Sequence, residues 1–116
     1  MIETKFVEVI SSEQPLVVPS PSESGGGQKM HRCPTCQFGI WSNYGDDGDI
    51  VRWVRVGTLD DPSKAPPNVH IFTSTKQPWV KLDDNLPIKE ESYRREEVWS
   101  KASLERREEY VKDLPS

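Results

Sequence analysis

The chain has 116 residues, a net charge of −4 and an isoelectric point near 5.2, which leaves no global basic surface and argues against nucleic acid as a main partner. Apolar content is 34%, below the ~45–50% (glycine included) of ordinary globular domains, so one modest domain with little surplus core is expected. No apolar run is long enough to span a bilayer, and "MIETKFVEVISSE" lacks the basic and apolar regions of a signal peptide.

Taken in chain order, "KFVEVISSEQPLVV" alternates apolar and polar residues and predicts two short strands, one through Phe6, Val7, Val9 and Ile10 and one through Leu16 to Val18. "PSPSESGGGQ", residues 19–28, is a Pro-, Ser- and Gly-rich loop, read as a surface connector in preference to a binding lid. "KMHRC" and "FGIWSNY" predict strands entering and leaving the turn that carries Cys33 and Cys36. "GDDGD", residues 45–49, is a hairpin turn; it lacks the spread of ligands and the closing glutamate of a calcium loop. "DIVRWVRVGTL" predicts a strand holding Val51, Trp53, Val54 and Val56, with room for a bulge near Arg52 and Arg55. After the Pro-rich turn "DDPSKAPPN", "VHIFTSTK" predicts a further strand. The tail "EEVWSKASLERREEYVKDL" predicts the one helix, capped by Ser100 or Ser103, with Leu104, Tyr110, Val111 and Leu114 on its apolar face. Trp41, Trp53, Phe72 and Trp79 are the expected core. The fold class is mainly β, with a domain over residues 1–95 and a helical tail over 96–116.

Cys33 and Cys36 are all the cysteines of the sequence. Their C-P-x-C spacing between two strands suits a metal knuckle, because both thiolates leave one side of a tight turn. A thioredoxin-like dithiol needs a helix starting at the first cysteine, and "QFGIWSNY" is a poor helix start. Two unliganded thiols are the remaining reading. A tetrahedral zinc takes four ligands, so this chain offers half a site. His31 is an awkward third ligand so close to Cys33, and His70 reads better as a half-buried histidine. Arg52 and Arg55 read either as anion binders or as partners of Asp46, Asp47 and Asp49 across the hairpin. Two cysteines without an export signal predict reduced thiols and a cytoplasmic location.

"HRCPTCQFGIWSNYG" followed by "VRVGTLDDPSKAPPNVHIFTSTKQPWVKLDDNLP" resembles the C-terminal half of the glutathione-dependent formaldehyde-activating (GFA, or CENP-V) domain family. The matching elements are the knuckle Cys33 to Cys36, the turn Gly57 to Pro62, the segment His70 to Thr73 and Pro78 to Val80. The resemblance runs from about residue 4 to residue 90 and implies a zinc-containing, Mss4-like (β-tent) fold. It further implies a carbon–sulfur lyase acting on glutathione–aldehyde adducts, with a structural zinc and a catalytic one. Only Cys33 and Cys36 carry over, and they map to the structural zinc. The catalytic C-H-C-x-x-C motif has no counterpart here, so no catalytic or cofactor-binding residue is assigned, and this chain alone is expected to be inactive. Gln37 departs from the glycine common after such knuckles, at a cost in strain. The missing ligands are expected from a second copy, from a separate polypeptide supplying an N-terminal half, or from sequence upstream of this chain; a degenerate paralogue would lack them altogether. A protein-interaction module built on the zinc knuckle is the alternative function, and chromatin association ranks last.

Overall fold

The computed structural model describes residues 1–45 and 47–115. They fall into two compact units, Met1–Pro66 and Pro67–Ser116. The first is built on five short strands: β1 (Ile2–Glu3), β2 (Leu16–Ser20), β3 (Gln28–Arg32), β4 (Gly39–Tyr44) and β5 (Val51–Val54). All neighbours are antiparallel, in the order β1-β5-β4-β3-β2, so the chain runs as a meander from β2 to β5 and β1 closes the far edge.

Alternation across the pleat sorts the side chains. Val17, His31, Trp41, Asn43 and Arg52 share one face; Met30, Ser42, Tyr44, Val51 and Trp53 share the other. On the first face the His31 ring stacks on Trp41 at 4.6 Å, and the Arg52 guanidinium lies 4.2 Å from the Trp41 ring. On the second, Tyr44 meets Trp53 edge-on at 5.4 Å. Asn43 Nδ2 donates to the Val51 carbonyl at 2.7 Å, tying β4 to β5 from within. Trp41 and Val51 are the buried apolar residues among those described, so the core is a thin one centred on β4 and β5.

Glycine is required where the β2–β3 loop meets the β4–β5 turn. A Cβ on Gly45 would stand 2.9 Å from the Gly26 carbonyl oxygen. The loop therefore lies against the turn, and the two enclose a cleft of about 360 Å³ lined by Gly27, Lys29, Tyr44 and Asp49 among others. Lys29 pairs with Asp49 at 3.5 Å.

The second unit holds α1 (Arg95–Val98) and the main helix α2 (Lys101–Lys112). Ser100 caps α2, its hydroxyl accepting from the Ser103 N–H, as the sequence predicts. Leu104, Tyr110 and Leu114 are half-buried and Val111 is exposed. None of the described helices is long and apolar enough to cross a membrane.

A mainly β architecture with one main helix is what the sequence predicts, but four features differ from expectation. Residues 6–10 form no strand: Thr4–Phe6 closes a 3-10 turn, and Ile10 is 93% exposed. Only Ile2 and Glu3 find partners on β5, while the Val7 carbonyl is taken by the Arg52 side chain at 3.2 Å. Residues 69–76 form no strand either. His70 makes a single parallel bridge to Ile88, Phe72 turns into the left-handed region (φ 52°), and Thr73–Thr75 is a 3-10 turn. Trp79, expected in the core, is 76% exposed. The bulge lies between β3 and β4, where His31 faces Trp41 but Arg32 faces Gly39, and not on β5.

Candidate metal centre

Cys33 and Cys36 sit on the turn that joins β3 to β4, between two extended segments. The Cys33 N–H donates to the Phe38 carbonyl and the Gln37 N–H donates to the Cys33 carbonyl, each at 2.9 Å. Arg32 closes the loop from its base, one guanidinium nitrogen donating to the Gln37 carbonyl at 3.0 Å. To complete this circuit Gln37 adopts φ 63°, the left-handed conformation that its missing glycine would take without strain. The backbone thus folds back within five residues, and no helix follows, so the dipole that activates a thioredoxin-like cysteine is lacking here.

Both thiols are free; Cys33 is half-buried and Cys36 is exposed. The backbone N–H groups of Cys36 and Thr35 are directed at Cys33 Sγ and, with a smaller contribution from the Cys36 side chain, hold its thiol below the usual thiol range. Amides aimed at sulfur favour the thiolate, which is the form that binds metal. The donor set suits zinc: two soft sulfurs on one turn, one of them preorganised by the main chain. Among the described residues no group of three or more His, Cys, Asp or Glu is placed to hold a metal, so the turn supplies two ligands and no more.

His31 is engaged in the sheet. Its ring stacks on Trp41, and burial pushes its pKa below the ordinary 6.5 against a hydrogen bond with Asn43 that pulls the other way. His70 joins residues 87 to 89 through its main chain, its N–H donating to the Pro87 carbonyl and its carbonyl accepting from Lys89. Arg52 is spent on the Trp41 ring and the Val7 carbonyl. Asp49 pairs with Lys29, and Asp46 lies outside the described residues. Arg55 packs over Gly39, where a Cβ would stand 2.8 Å from its Nε. The part played by Arg32 in clamping the turn has no signature in the sequence, since it depends on how far the turn folds back. Gln37 could be read in advance from the family resemblance, in which a glycine follows such knuckles.

A family model described as glutathione-dependent formaldehyde-activating enzyme matches residues 1–75. No curated protein and no solved structure matches the chain. The matched segment is well over half of the 116 residues and contains the whole sheet and the cysteine turn. The chain therefore belongs to the glutathione-dependent formaldehyde-activating enzyme family.

Proposed function

We propose that this chain is a zinc-knuckle member of its family, on a Mss4-like scaffold, that keeps the structural half of the family's chemistry and has no lyase activity of its own. Cys33 Sγ and Cys36 Sγ are the ligands. Zinc bound there supplies a cross-link between β3 and β4 and adds its binding free energy to folding. The observation that carries this reading is the turn itself: two thiols on one bend between β3 and β4, closed by the Cys33 N–H on the Phe38 carbonyl and the Gln37 N–H on the Cys33 carbonyl. The sequence has no further cysteine to hold a second zinc for carbon–sulfur bond cleavage. A glutathione–aldehyde adduct remains the ligand class the family name suggests, and a reducing, cytoplasmic compartment is the one that keeps such thiols available.

Turnover of S-hydroxymethylglutathione by the purified chain with added zinc tests the reading. No rate above the uncatalysed background is expected. Any zinc-dependent rate above that background would overturn it, and Cys33→Ser would then tell whether the turn carries the activity. A protein-interaction module is the second reading, favoured by the exposed apolar side chains Leu16, Val17 and Phe38 on or beside the sheet.

A further inference from the structure

We propose that two copies of this chain meet at their cysteine turns and share one zinc ion, each copy giving Cys33 and Cys36. The inference rests on the zinc-knuckle reading above and names the partner that completes it. Zinc in structural sites takes four ligands, and each chain brings two thiols with no third ligand among the described residues. A two-fold axis through the metal supplies the other two from an identical turn, and such an axis places the same surface on both sides.

The surface around the turn fits a copy of itself. Phe38 follows the turn and is 57% exposed. Leu16 on β2 pairs with Arg32, which places it at the same end of the sheet, and it is 43% exposed. Val56, just past the Arg55 N–H that donates to Ile40 at the start of β4, is 40% exposed. Register and chain position put all three at the end of the sheet that carries the thiols. Three exposed apolar side chains at the end that carries the thiols are available to a copy of the same surface.

Charge agrees with the same arrangement. Four thiolates around one divalent cation leave an excess of two negative charges. Arg32 and Arg55 both lie at this end, one clamped to the Gln37 carbonyl and one over Gly39. Among the described residues neither guanidinium is in an ion pair. A dimer would bring two such pairs toward the metal and offset its excess charge.

Titration of the metal-free full chain with cobalt(II) as the zinc probe, followed by native mass spectrometry of the zinc form, tests this. Expected are intense sulfur-to-cobalt bands that saturate at one ion per two chains, a dimer holding one zinc, and monomers once a chelator is added. Phe38→Asp, on an exposed side chain, leaves the circular dichroism unchanged and raises the dimer dissociation constant by about tenfold or more. A monomer binding one zinc through Cys33 and Cys36 overturns the shared site and leaves the knuckle reading standing. A dimer that persists without metal also overturns it, as does a Phe38→Asp dimer as tight as the parent. Failure to bind either metal removes both readings.

Discussion

Gln37 holds a backbone conformation that costs an ordinary residue ~1–3 kcal/mol, and it does so because the turn must bring its N–H to the Cys33 carbonyl. Glycine takes that conformation freely but adds ~0.5–1 kcal/mol of unfolded-chain entropy. The balance predicts that Gln37→Gly raises the unfolding free energy by ~0–2.5 kcal/mol, measurable as a higher urea midpoint at unchanged slope; a lower midpoint would mean that the glutamine side chain contributes contacts of its own. Near the end of β3, His31 carries a pH dependence. Its folded pKa lies below the ordinary 6.5, chiefly from burial. Between the two values the unfolded chain binds more protons than the folded one, so this contribution is intact above 6.5 and is lost as pH falls below it. Urea midpoints of metal-free protein from about pH 7.5 to about pH 5 will fall, and His31→Gln will make that fall shallower. An equal slope in the variant would assign the loss to other groups.

At the scale of elements, the sheet shows what a sequence can and cannot reveal. Residues 28–54 are legible because their alternation, the C-P-x-C turn and the Gly-Asp turn agree with one another, and each strand finds its neighbour next in sequence. Residues 6–10 alternate just as well, yet of the N-terminal segment only Ile2 and Glu3 pair with β5, and alternation without a partner makes no strand. Residues 70–74 come closer. Their amides reach the Pro87, Lys89, Glu90 and Glu91 carbonyls, but the left-handed Phe72 interrupts the ladder after one bridge. Within the candidate site, the pair Cys33 and Cys36 was legible from spacing and the strain at Gln37 from the family resemblance, whereas Arg32 as a clamp and Arg55 over Gly39 depend on tertiary approach. The tryptophans divide for the same reason. Trp41 sits on the central strand between His31 and Arg52 and is 4% exposed, while Trp79 lies in a turn and is 76% exposed. Trp41→Ala is therefore expected to cost ~3–5 kcal/mol, and Trp79→Ala less than about 0.5 kcal/mol, by chemical denaturation of each variant. Similar losses for both would place Trp79 in a packed environment that the structure does not give it.

For the whole molecule, a thin core is what gives the proposed metal at the turn its weight. Trp41 and Val51 are the buried apolar residues among those described, and natural domains are stable by only ~5–15 kcal/mol. Structural zinc in small domains supplies binding free energy of comparable size, so a knuckle at the end of β3 and β4 would fix the sheet where its side chains leave it least supported. The family match covers the cysteine turn, and the role proposed for that turn is anchoring. The most direct test is X-ray absorption at the zinc edge on the purified full-length chain. Sulfur scatterers at ~2.3 Å, lost in Cys33→Ser, are the predicted result; a spectrum holding only oxygen and nitrogen neighbours, or one indifferent to that substitution, would contradict the account.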